Sequence, residues 1–193
     1  MLHCRVKTLG VHQVEMTMED NLKFRLVDVG GQRSGKLLQF MKFQCVNSER
    51  RKWLELMSEV DAVIFMSSLA EFDQDCYEEK GCWRVKEALD TFEKVINNKL
   101  FKNVPFVLML NKRDLFEKKL AKKSFKKYFE DYEGDEKDVQ SCIDHISKLY
   151  LKRSKEHPID NILVRPHCAI DKDATELMFK DVKNFIIEQY KKK

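Results

Sequence analysis

Four short segments carry residue types that could do chemistry. Asn111-Lys112-Arg113-Asp114 directly follows an apolar run ending at Leu110. A carboxylate placed there can accept two N–H bonds from the Watson–Crick edge of guanine, a pair that adenine does not offer. Asp114 would then select the base, while Asn111 and Lys112 brace the loop and cover the ring. Asp28-Val29-Gly30-Gly31-Gln32-Arg33 closes an alternating run. An Asp at a strand end can hold magnesium, usually through water. A Gly close behind lets a backbone N–H approach a phosphate with no side chain in the way. Gln32 could orient an attacking water, although the same residues also read as a plain turn. Arg5-Val6-Lys7-Thr8-Leu9-Gly10 offers an Arg that can neutralise charge on a transferring phosphoryl group and a Thr hydroxyl that can ligate magnesium. By itself this segment reads better as a basic N-terminal tail. Cys168-Ala169-Ile170 supplies small residues that would let a backbone N–H contact a base.

These segments need elements to position them. Val11–Met18 and Leu22–Val29 alternate on either side of Glu19-Asp20-Asn21, which reads as a β-hairpin. Val60–Ser68 and Val104–Leu110 are apolar runs of strand length, as for strands buried on both faces. Val85, Ala88, Leu89, Phe92, Val95 and Ile96 keep helical spacing. Leu120, Phe125, Tyr128 and Phe129 line one side of a Lys-rich stretch, which predicts a surface helix. Val139 to Tyr150 and Ala174–Tyr190 predict two more helices, and Asn161–Val164 a short strand ending before Arg165-Pro166. Strands and helices thus alternate after the hairpin. That order predicts an α/β fold with a mostly parallel sheet covered on both faces. Ligands in such sheets sit at the carboxyl ends of strands, where three of the four segments fall.

Composition narrows the class. The 193 residues suit one domain, and 43% hydrophobic with 35% charged residues allow an ordinary core. Lys plus Arg number 36 against 32 Asp plus Glu, a net +4 that is too small to argue for nucleic acid as a partner. The Lys runs then read as solvated charge. No apolar run approaches the ~20 residues of a membrane span. The N-terminus has neither an apolar signal region nor the Met-Gly start of myristoylation, so the chain is expected to be cytoplasmic. Six cysteines contain no C-x-x-C pair, so zinc and redox motifs are not expected and the thiols read as reduced and partly buried.

Taken in order, R-V-K-T-x-G, D-V-G-G-Q-R, N-K-x-D-L-F and C-A resemble the α subunit of heterotrimeric G proteins. Glu49-Arg50-Arg51-Lys52-Trp53 is similar to that family's switch II helix, and residues 90–119 also resemble the family, with F-x-x-x-x-N-N-K-x-F and then N-K-R-D-L-F-E-K-K. The resemblance runs from about Leu2 to the last helix. It implies the later part of a Ras-like P-loop NTPase domain, truncated, with one antiparallel hairpin and helices on both faces of a mostly parallel sheet. It also implies roles. Arg5 would be the arginine finger supplied in cis, a device for which this family is the established example. Thr8 would ligate Mg2+ directly and Asp28 through water. Gly31 would sense the γ-phosphate and Gln32 would position the hydrolytic water, making Gln32 and Arg5 the catalytic pair. Asn111, Lys112 and Asp114 would hold guanine, with Cys168 and Ala169 completing its pocket. Leu2, Val6, Lys7 and Gly30 join the same nucleotide-binding set. The implied cofactors are GTP or GDP with Mg2+. The implied partners are a βγ dimer, a G-protein-coupled receptor and an effector enzyme. The family works at the inner face of the plasma membrane, which this chain would reach through partners or a preceding N-terminus.

The sequence also departs from that pattern. The family places a strand, a G-x-x-x-x-G-K-[ST] phosphate loop and a helical domain ahead of R-V-K-T, whereas this chain opens at that segment. The P-loop lysine and a second magnesium hydroxyl are therefore expected to be missing. Two strand edges are expected to lack the strand between them. Gly30–Lys36 fits G-x-x-x-x-G-K, but Leu37 stands where magnesium needs Ser or Thr. Residues 35–48 interrupt the run from G-G-Q-R-S to E-R-x-K-W and read as an insertion in switch II, of the kind a retained, frame-preserving intron would leave. His167 stands where the family has Thr, and the C-terminus ends at Tyr190-Lys191-Lys192-Lys193 without the receptor-contacting tail. Three readings result: a GTP-hydrolysing transducer, a catalytically dead fragment that binds βγ or effector, and a P-loop kinase or ATPase built on Gly30–Lys36.

Overall fold

A computed structural model describes residues 11–17, 23–29, 60–76 and 82–192. Arg5, Thr8, the glycines and glutamine of D-V-G-G-Q-R and the 35–48 insertion lie outside the described residues. The chain falls into two compact units, 1–56 and 57–193.

The first unit contains the hairpin. Strands β1 (Val11–Thr17) and β2 (Lys23–Val29) pair antiparallel, with Val14 opposite Leu26 and Thr17 opposite Lys23. Along β2 the pattern has the period of two that a strand imposes, with Lys23 and Arg25 exposed and Phe24 and Leu26 half-buried, whereas Gln13, Val14 and Glu15 of β1 are all exposed.

The second unit is built on a parallel sheet in the order β3–β4–β5, with β3 Val63–Ser68, β4 Phe106–Asn111 and β5 Ile162–Pro166. Ser68 lies opposite Asn111, and Leu110 opposite Pro166, so the strand ends that carry the N-K-R-D and C-A loops are level. The central strand is buried throughout from Phe106 to Leu110, which explains its unbroken apolar run. Among the described residues, β3 pairs only with β4 and β2 only with β1.

Each face of β4 has its own cover. Val107 and Met109 pack with Met178 and Val182 of the last helix, α4 (Lys172–Lys191), together with Ile64, Leu163 and Phe185. The opposite face carries an aromatic stack. Phe92 of α1 (Arg84–Ile96) meets Phe65 at 5.1 Å, Phe106 at 6.4 Å and Tyr150 of α3 (Val139–Leu151) at 5.2 Å, all edge to face. Burial of each such ring contributes roughly 1.5–3 kcal/mol, and edge-to-face pairing adds about 0.5–1.5 kcal/mol. Helices α3 and α4 start at polar caps: Asp138 accepts from the backbone N–H groups of Gln140 and Ser141, and Asp171 from that of Ala174. The α/β class with helices on both faces of a parallel sheet is therefore what the chain adopts.

Two expectations change. The Lys-rich stretch is helical only in α2 (Arg113–Leu120); residues 121–138 form a series of turns. The Glu136 carboxylate accepts from the Ser124 hydroxyl at 2.7 Å and the Lys126 backbone N–H at 2.9 Å. It thereby replaces the carbonyl that a continuing helix would offer that N–H. Phe125 is fully buried there, stacked on Phe129 at 4.4 Å. The last strand also extends through Arg165 to Pro166. β5 is an edge strand, where proline's missing N–H is tolerated.

Candidate nucleotide-base site

The carboxyl ends of β4 and β5 meet in a set of cross-loop hydrogen bonds. His167 N–H donates to the Leu110 carbonyl at 2.8 Å, and Arg113 N–H donates to the His167 carbonyl at 3.1 Å. The Asn111 Oδ1 atom accepts twice, from Lys112 N–H at 2.7 Å and from Ala169 N–H at 3.1 Å. One amide side chain thus closes its own turn and holds the partner loop. The parallel register delivers the two loops at one level, and the side chain then joins them.

Lys112 has φ 63° and ψ 38°, the left-handed region, and is the one non-glycine residue with positive φ among those described. A lysine there costs about 1–2 kcal/mol. Such strain persists where the surroundings over-determine the backbone, here by the Asn111 and His167 bonds on either side. The turn starts α2 at Arg113. Asp114 then lies in the first helical turn, half-buried.

Asp114 Oδ1 accepts a hydrogen bond from the Cys168 thiol at 3.3 Å. Burial first, and the Asp114 carboxylate second, push the Cys168 thiol above its ordinary value, so it stays protonated and able to donate. His167 is buried, and burial lowers its imidazole below the usual value; Asp171 opposes this weakly. Its Nε2 lies 3.4 Å from the Thr175 Oγ1 of α4. The buried, neutral imidazole ties the C-A loop to that helix.

Residues after β3 support the same corner. Glu71 pairs with Lys112 at 3.9 Å and Arg84 at 3.5 Å. Asp73, buried, is clamped between Lys119 and Lys123 of the 113–123 segment, and Lys119 also donates to the Ala70 carbonyl at 2.7 Å. Burial alone would raise the Asp73 carboxyl, but the two ammoniums override it and hold it below the ordinary carboxylate range. None of Glu71, Asp73 or the His167 backbone carries a motif. Only the position of Glu71 and Asp73 just after a strand could have drawn notice.

Of the residues singled out in the sequence, Asn111, Lys112, Asp114, Cys168 and Ala169 come together. Leu2, Arg5, Val6, Lys7, Thr8, Gly30, Gly31 and Gln32 lie outside the described residues. Of Asp28, only the backbone is described, opposite His12. Among the described residues no group of three or more His, Cys, Asp or Glu side chains could hold a metal ion. No helix among them is long and apolar enough to cross a membrane.

Chemically, the joined loops present the Asp114 carboxylate as an acceptor, the complement of a flat heterocycle with adjacent N–H donors. Comparison with known proteins shows the family. The chain is 33% identical to the guanine nucleotide-binding protein alpha-1 subunit of Saccharomyces cerevisiae, over all of this chain and 37% of that protein. It is 36% identical to the alpha-15 subunit of Caenorhabditis elegans, over 97% of this chain and 48% of that protein. It is 34% identical to subunit alpha-13 of Homo sapiens, over 97% of this chain and 46% of that protein. The chain thus spans about half the length, or less, of these curated relatives. The profile of the G-protein alpha subunit matches residues 1–186, which include both loops and the strands that carry them. This chain belongs to the G-protein alpha subunit family.

Proposed function

We propose that this chain grips the guanine base within a signal transducer that hydrolyses GTP to GDP and couples receptors to effectors. The observation that carries the reading is Asp114, a carboxylate set at the carboxyl end of the sheet between two loops that Asn111 joins. A carboxylate accepts both the N1–H and the exocyclic N–H of guanine, whereas adenine presents an acceptor at one of those places. Charge-assisted bonds of this kind contribute about 1.5–3 kcal/mol each, enough to select the base. The Cys168 thiol keeps Asp114 oriented until the base takes its place.

The rest of the proposal rests on family membership. Arg5 and Gln32 act on the γ-phosphate and the attacking water, Gly31 reports the phosphate, and Thr8 and Asp28 hold magnesium, which offsets phosphate charge. Switch segments answer to the γ-phosphate. A βγ dimer, a receptor and an effector enzyme are the proposed partners, and the cytoplasmic face of the plasma membrane is the proposed location.

The test is a titration of the 193-residue chain with fluorescent GDP, competed by GTP, guanosine and ATP. Displacement by GTP and guanosine but not ATP, abolished in Asp114→Asn, supports the reading. Preference for ATP with loss in Lys36→Ala would point instead to chemistry on Gly30–Lys36. Binding of a βγ dimer without any nucleotide would point to an interaction fragment.

A further inference from the structure

Away from the base loops, the fold brings two cysteines face to face. Cys76 N–H donates to the Cys82 carbonyl at 2.7 Å, and Arg84 N–H donates to the Gln74 carbonyl at 2.9 Å. Asp75 and Trp83 form an antiparallel bridge between those bonds. Cys76 and Cys82 are therefore directly opposed residues of a short antiparallel pair, with side chains on one face. Opposed residues in the hydrogen-bonded register have Cα atoms about 5.5 Å apart. Disulfides need roughly 4.4–6.8 Å. Both thiols are free. Cys76 is buried and donates to Glu87 Oε2 at 3.4 Å, while Cys82 is half-buried. No third His, Cys, Asp or Glu ligand completes a metal site among the described residues, so the pair is suited to dithiol chemistry rather than to an ion.

We propose that Cys76 and Cys82 form an oxidisable dithiol that hydrogen peroxide converts to an intramolecular disulfide. The more accessible Cys82 reacts first, as its thiolate. Its sulfur attacks one peroxide oxygen, the O–O bond breaks, and the departing hydroxide takes up the thiol's proton as water, leaving a sulfenic acid. Cys76 then attacks the Cys82 sulfur. Its proton passes to Glu87, the S–S bond forms, the S–O bond breaks, and the leaving hydroxide recovers that proton as a second water. Two thiols are oxidised by two electrons and one peroxide is reduced to two waters. The order of attack fits the surroundings: burial first, then the neighbouring Cys82 thiol and Glu87, push the Cys76 thiol up to about 12. Cys76 is therefore the resolving partner, and Glu87 is the base that makes it competent. The cross-link would add a covalent lock to the bridge between the turn carrying Glu71 and the start of α1, which two backbone bonds and the Arg84–Glu71 pair already hold.

Peptide mapping of the whole chain tests this. Reduced protein is treated with equimolar hydrogen peroxide, alkylated, and digested with trypsin without reductant. Lys80 lies between the two cysteines, so cleavage there separates them unless a disulfide joins them. The expected product is peptide 81–84 linked to the peptide containing Cys76, with loss of two alkylatable thiols and release by dithiothreitol. A Glu87→Gln variant should accumulate Cys82 sulfenic acid, trapped by dimedone, before the disulfide appears. Recovery of both cysteines alkylated, or of Cys82 joined to another cysteine, would overturn the proposal, and neither result depends on a variant that folds.

Discussion

The Asn111 Oδ1 atom lies 3.1 Å from the Ala169 backbone N–H while also accepting from its neighbour Lys112 at 2.7 Å. One side chain therefore joins two loops that are 58 residues apart in sequence. Asn111→Ala removes both bonds and leaves the Ala169 N–H without its acceptor. Ala169 is exposed and water can take over as acceptor, so the expected loss of stability is about 0.5–1.5 kcal/mol, measured by urea unfolding, together with weaker binding of guanine nucleotide. Unchanged stability would mean that the Leu110–His167–Arg113 backbone bonds hold the loops unaided.

Asp114→Asn tests base selection apart from stability. An amide keeps one acceptor and turns a donor toward a guanine N–H. The loss of one charge-assisted bond predicts about 10–100-fold weaker GDP binding. A xanthine nucleotide carries a carbonyl where guanine carries its amine, so it should compete better against the variant than against the parent. Equal preference for guanine in both proteins would separate Asp114 from base recognition.

Lys112 sits in the left-handed region at φ 63°, a place where glycine carries no Cβ penalty. Lys112→Gly should therefore raise stability by about 1 kcal/mol, less a small loss from the half-exposed Glu71 pair. It should also weaken nucleotide binding, because no stem would cover the ring. Stability and affinity moving in opposite directions is the signature of strain held at a site. A fall in both would show that the Glu71 contact outweighs the backbone cost.

Much of this was legible before any coordinates. Phe92, Val95 and Ile96 marked α1 by their spacing, and the apolar run of β4 marked a strand buried on both faces. N-K-R-D and C-A each follow a strand end, and those are the two loops that Asn111 joins. Residues 121–138 were misread because Phe125 and Phe129 keep a helical interval while their burial comes from turns that the Glu136 carboxylate stabilises. The His167 carbonyl was invisible because a backbone atom leaves no mark on residue type. Cys76 and Cys82 showed no motif, since an opposed pair in an antiparallel bridge has no fixed spacing.

Asp73 predicts the acid limit of the second unit. Lys119 and Lys123 hold its carboxyl below the ordinary range against the opposing effect of burial. A folded value lowered in this way means that the unfolded chain binds the proton more readily. The stabilisation is full above the unfolded value of about 3.9 and is lost as pH falls through the lower folded value. Asp73→Asn should cost about 1–3 kcal/mol at pH 7, the lower end applying because both lysines are partly exposed. The penalty should shrink toward zero as pH falls through that lowered folded value, where Asp73 itself is protonated. Urea unfolding of the two proteins at neutral and acid pH measures that convergence. A penalty that stayed constant with pH would assign the effect to packing around the 3-10 turn Leu69–Glu71 that follows β3 rather than to the lysine clamp.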